Sequence, residues 1–178
     1  MPQKHMNRRA RAVFNIGDSV IYENQGVYPV REITKSPVDK TDDRLFYVLV
    51  PLHEAACNVI VTPVAGQRVR AVITKERANE IIGKIPELLP LTVENERNRR
   101  DVYKSALGGL NLEDYVRIIK TVCARREELA KVKKRISETD ADYEKRAKHG
   151  LYSEFAVVFD IPITEVEQMI ADRICDAV

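Results

Sequence analysis

The sequence predicts an α+β chain in which a small strand-rich half precedes a helical one. Before residue 72, β-branched and aromatic residues gather in short runs closed by Gly, Pro, Asn or Asp. From residue 74 onward, apolar residues return every three or four positions behind residues suited to helix caps. A length of 178 residues allows one ordinary domain or two small ones and excludes a large nucleotide-driven motor. With 44% hydrophobic and 31% charged residues, the chain has the composition of a folded protein with a real core. The expected layout is a basic tail over residues 1–11, a strand-rich module over 12–72 and a helical domain over 73–178.

The first strand follows the turn at Gly17-Asp18 and ends near Tyr22. Asn24-Gln25-Gly26 makes the next turn, and Val27 to Ile33 extends again, with Pro29 asking for an edge or an irregularity because it has no backbone N–H to donate. Leu45 to Val50 and Asn58 to Thr62 are the next two strands, the latter closed by Pro63, and a short one covers Arg68 to Ile73. Five short strands in so little chain suggest a strongly bent antiparallel sheet or a partly open barrel.

In the second half, Thr74 is placed to cap a helix running to Ile82, with Gly83 just beyond it. Pro86 and Pro90 mark a loop, and a helix from Glu94 to Leu107 stops at Gly108-Gly109. Leu112, Tyr115, Val116, Ile119, Val122 and Cys123 form the apolar stripe of the next helix. Ser137-Glu-Thr-Asp140 resembles a capping box, and Tyr143, Ala147, Leu151, Phe155 and Val158 line the helix behind it, with Gly150 as a possible break. Thr164-Glu-Val-Glu167 is a second capping box, opening a terminal helix whose apolar face is Val166, Met169, Ile170 and Ile174.

Charge narrows the function. The formal charge is only +2, so any contact with nucleic acid has to be local. In the strand-rich half, Arg31, Lys35, Lys40, Arg44, Arg68 and Arg70 are outnumbered by Asp18, Glu23, Glu32, Asp39, Asp42, Asp43 and Glu54. That surface is poor for phosphate and better suited to strand pairing with another protein. The helical half is also near neutral, yet Arg97 to Lys104 carries four bases against Asp101, and Arg117 to Arg135 carries eight against Glu127 and Glu128. Two such helices can build one basic surface for a nucleic-acid backbone. The tail bases Lys4, Arg8, Arg9 and Arg11 are read as solvated.

Enzyme chemistry finds little support. No GxGxxG, P-loop, HExxH or EF-hand spacing occurs, and His5, His53 and His149 are isolated in sequence. Cys57, Cys123 and Cys175 form no CxxC and are expected to be small buried apolar groups in a reducing compartment. No cofactor or metal is expected. The N-terminus has no secretion signal and no apolar run reaches eighteen residues, so the expectation is a cytoplasmic protein without a membrane partner, and a monomer.

Taken in order, Phe14-Asn-Ile-Gly-Asp-Ser-Val-Ile-Tyr22 with Gly26-Val27, Phe46-Tyr-Val-Leu49, Val59-Ile-Val-Thr-Pro-Val64, Arg99-Arg100 through Tyr103-Lys104, Gly108-Gly109 and Tyr115-Val-Arg-Ile-Ile119 resemble the CarD/CdnL family of bacterial transcription regulators. The resemblance runs over nearly the whole chain from Phe14. It implies a Tudor-like N-terminal barrel that binds the β subunit of RNA polymerase, and a compact helical domain set against promoter DNA. Carried over to this sequence, Lys35, Arg44, Phe46, Val48, Ile60 and Val61 become the polymerase-binding residues. Arg97, Arg99, Arg100, Lys104, Arg117 and Lys120 become the DNA-backbone contacts. Many family members have a tryptophan wedge ahead of the paired arginines, whereas this chain has no Trp and places Glu94 to Asn98 there.

The implied function is a non-catalytic regulator that modulates open-complex stability through weak, sequence-independent DNA contact. The competing expectation is a protein-interaction adaptor with no DNA role.

Overall fold

In the computed structural model the described residues are 14–35, 44–51, 59–66 and 68–175. The basic tail, Lys40, His5, His53, Cys57 and the acids Asp39, Asp42, Asp43 and Glu54 lie outside them. The fold is α+β: an antiparallel sheet of β1 (Ser19–Tyr22), β2 (Val27–Lys35), β3 (Leu45–Leu49), β4 (Ile60–Pro63) and β5 (Val69–Ala71), followed by five α-helices among the described residues. The spatial order is β4-β3-β2-β1-β5, so β4 and β5 are edges and the sheet is open. A closed barrel therefore does not form among these residues.

Local chemistry explains the turns. Gly17, at φ +94°, takes a backbone conformation that a side chain would strain, and Asp18 locks the turn by accepting from the Asn15 amide at 2.8 Å. Gly26, at φ +102°, does the same between β1 and β2. The irregularity expected at Pro29 falls just after it, where the β2–β3 register shifts between Val30 and Glu32. On β3, Tyr47 and Leu49 are buried, and the Tyr47 hydroxyl accepts from the Phe14 amide at 2.9 Å.

The helices are α1 (Lys75–Lys84), α2 (Arg99–Gly108), α3 (Leu112–Lys131), α4 (Glu138–Phe159) and α5 (Ile163–Cys175). Thr74 caps α1 as expected, accepting from the Arg77 amide. The helix nonetheless runs through Gly83, where an added Cβ would point into open space. Short 3-10 turns cover Ile85–Glu87 and Glu96–Asn98, so α2 begins at Arg99, later than expected. Helix α3 continues to Lys131, beyond its apolar stripe. It closes with Lys133 at φ +55°, whose amide and that of Lys134 reach back to the carbonyls of Ala130 and Leu129.

Ser137 and Asp140 make a true capping box at α4. Gly150 does not break that helix. It is the place where the Tyr115 ring lies against the backbone, and a Cβ there would sit 2.7 Å from Tyr115 Cε2. The second expected box is not formed, since α5 starts at Ile163 and the Glu165 and Val166 amides bond the Pro162 carbonyl. The helical core gathers Ile81, Leu107, Ile118, Leu151, Phe155 and Ile170 among others, with Cys123 partly buried beside it.

Two compact units result, one of residues 1–20 and 28–71, the other of 21–27 and 72–178. In the second, Gly26 and Gln25 meet α4, with the Gln25 carbonyl 3.0 Å from His149 Nε2. No described helix is long and apolar enough to cross a membrane.

Candidate functional site

Of the residues expected to bind protein, Arg44, Phe46, Val48 and Val61 fall on one side of the sheet. In an antiparallel pair, directly opposed residues project to the same face. Phe46 lies opposite Pro63 and Val48 opposite Val61, so these four share the face away from Tyr47 and Leu49. Thr34 and Glu32 on β2 border it, paired with Phe46 and Val48. Val61 is 43% exposed, and Val59, just ahead of the edge strand, is 52% exposed. Arg44 stands with its guanidinium 6.0 Å from the Phe46 ring centre, and Lys35 ends β2 opposite Leu45. Lys35 and Ile60 are the exceptions: Lys35, opposite Leu45, lies on the Tyr47 face, and Ile60 pairs with Leu49 on that same face and is half-buried, so it packs the sheet and is not part of the outer surface.

The expected DNA-contact residues divide differently. Arg97, Arg100 and Lys104 are exposed along α2 and the turn that leads into it. Arg99 is not. Its side chain is buried between Glu96 and Asp140, 3.4 Å from the latter. Asp140, wholly buried at the start of α4, also lies 3.1 Å from Arg125 and accepts from Tyr103 at 3.1 Å and Ser137 at 2.9 Å. Burial, and then the Asp140 charge, raise the Tyr103 hydroxyl well above its ordinary value, so it remains a donor.

Lys120 also departs from expectation. It is 2% exposed, and its ammonium donates to the carbonyls of Ile85 at 2.6 Å, Leu88 at 2.9 Å and Pro86 at 3.3 Å. Burial pushes this lysine below its ordinary value, while the carbonyls at the end of α1 and its 3-10 extension supply the oxygen that water would have given. It secures a loop and does not reach a phosphate.

Arg117 is half-exposed and donates to the Leu89 carbonyl at 3.1 Å, beside Asp114 at 3.4 Å. It lines an open groove of 680 Å³ with Leu91, Asn98, Val102 and two acids, Asp101 and Asp114, a mixed surface with no preference for anions. Arg126 is paired with Glu144.

Of the eight bases between Arg117 and Arg135, then, the exposed ones that form no ion pair among the described residues are Lys131, Lys133, Lys134 and Arg135. They surround the exposed Val132 in the turn between α3 and α4. None was singled out from the sequence, although the run itself was visible in it. Among the described residues, no group of three or more His, Cys, Asp or Glu side chains gathers as metal ligands. No protein-family model matches the chain, and no curated protein matches it.

Proposed function

We propose that the chain is a non-catalytic regulator of transcription that docks on the β subunit of bacterial RNA polymerase and steadies the promoter open complex by weak contact with the DNA backbone. The observation that carries this reading is the outer sheet face of Phe46, Val48, Val61 and Pro63, which reaches the edge strand β4, whose far side pairs with no other strand among the described residues. Short open edges and their flanking apolar residues accept a strand from another protein through backbone bonds. The resemblance to CarD/CdnL regulators supplies the partner, and a Tudor-like relationship for the sheet belongs to the same proposal.

In this reading Arg97, Arg100 and Lys104, with Lys131, Lys133, Lys134 and Arg135, meet phosphates. Docking raises their effective concentration at the promoter, so each contact can be weak. Stabilisation follows from tighter contact with opened than with closed DNA, and an equal grip on both would change nothing. Phosphate contacts fix position without reading bases.

A second reading, an adaptor with no DNA role, draws support from the burial of Arg99 and Lys120, which takes two cations from the surface, and from the pairing of Arg125 and Arg126 with acids, which offsets two more. The full-length chain separates the two. Val61→Asp should weaken capture by the β subunit by about tenfold or more without lowering thermal stability. The triple change of Arg97, Arg100 and Lys104 to Ala should spare that capture and shorten open-complex lifetime. Undiminished capture by V61D overturns the docking face, and an unchanged lifetime favours the adaptor.

A further inference from the structure

Glu96 occupies an unusual place among these cations. Its carboxylate oxygen Oε1 is shared by two guanidinium groups, Arg99 and Arg125, the latter at 2.8 Å, although the side chain itself is 65% exposed. Beneath it, Asp140 holds the same two arginines from the buried side, at 3.4 Å and 3.1 Å. The four groups form a neutral cluster, with Asp140 fixed in the interior and Glu96 facing solvent. Exposed Arg97 and Arg100 flank it in the chain, and Lys104 follows one turn later.

Two guanidiniums converging on one oxyanion is the geometry that recognises a phosphate. Asp140 lies against both arginines from the buried side, so its charge stays with the pair when the outer carboxylate leaves. We infer that Arg99 and Arg125 form a latent phosphodiester-binding site that Glu96 occupies as an internal anion, and that a nucleic-acid phosphate takes its place. This rests on the DNA-contact half of the proposed function and adds a residue-level control to it. Glu96 is open to solvent on its outer side, and an incoming phosphate inherits the charge-assisted bonds to Arg99 and Arg125 that the carboxylate gives up, so neither guanidinium is left unpaired by the exchange. Once Glu96 leaves, the cluster gains a net positive charge next to Arg97 and Arg100. Grip on phosphate then depends on a local concentration high enough to displace the carboxylate, which suits a protein that should ignore free DNA until it is docked.

The test compares two single-charge removals in the full chain, Glu96→Gln and Glu94→Gln, by fluorescence anisotropy with a labelled DNA duplex over a salt series. Glu94 is exposed two residues away, so E94Q reports the general change of field. E96Q should bind at least about fivefold more tightly than wild type and steepen the plot of log affinity against log salt by about 0.9, one added phosphate. E94Q should change affinity less than about twofold with the slope unaltered. Adding Arg125→Gln to E96Q, with native circular dichroism confirmed, should cancel the gain.

If E96Q and E94Q behave alike, the latch is wrong even where wild type binds DNA through Arg97, Arg100 and Lys104. If no variant binds DNA at any salt, the DNA reading falls and the latch with it. Binding by E96Q alone supports the latch.

Discussion

An ammonium taken out of water keeps its charge only where oxygen surrounds it, and Lys120 finds three carbonyls at the end of α1 and the 3-10 turn behind it. Lys120→Met retains the aliphatic stem and leaves those carbonyls without their donor, so it should cost about 3 kcal/mol in urea denaturation. A surface lysine in a DNA contact would cost almost nothing, which makes the measurement decisive for its role. Gly150 presents the opposite case. Glycine inside a helix ordinarily gains about 1 kcal/mol on replacement by Ala, yet here the new methyl would sit 2.7 Å from the buried Tyr115 ring. Gly150→Ala should therefore lower stability, by about 1–3 kcal/mol, and a raised melting temperature would contradict the packing described.

Lys120 and Arg99 show where a sequence is legible and where it is not. Lys120 follows Val116 by four residues and Arg99 precedes Tyr103 by four, so helical spacing alone puts each on an apolar face. Counting charge along the chain hides this, because it treats every base as solvent-facing. The carbonyls that accept from Lys120 come from more than thirty residues away, and that pairing has no local signature.

Elements show a similar division. Thr74, Ser137 and the stripe from Tyr143 to Phe155 were readable because capping and periodicity act within a few residues. The start of α5 was not, since Pro162, two residues before Thr164, supplies the first carbonyl and the box-like spacing has no role to play. Helix α1 is joined to α3 by Glu113, which receives Arg77 at 2.8 Å and Lys84 at 3.3 Å. Partial burial works to raise this carboxyl, but hydrogen bonds and charge from Lys84 and Arg77 outweigh it and hold it below the ordinary 4.5. The folded chain then binds fewer protons here than the unfolded one. The stability this contributes is complete above pH 4.5 and is lost as pH falls through the lowered folded value. Glu113→Gln should flatten stability against pH over that acid range and leave its shape above pH 6 unchanged, as followed by chemical denaturation at successive pH values.

For the whole molecule, strand and helix content followed from periodicity, while closure of the sheet depended on pairings between distant segments. The outer face was partly legible, because Phe46 and Val48 alternate with buried Tyr47 and Leu49 in a single strand. That Val61 joins them and Ile60 does not depended on the β3–β4 register, which only the folded chain reveals. The cationic surface was the least legible part, since ion pairs assembled from α2, α3 and α4 decide which bases remain outside.

The hairpin tip of residues 21–27, which takes in the end of β1 and the first residue of β2, groups with helices that begin some fifty positions later, although β1 and β2 belong to the sheet. A single proteolytic nick near residue 72 cannot release either unit whole, because the boundary crosses the chain more than once.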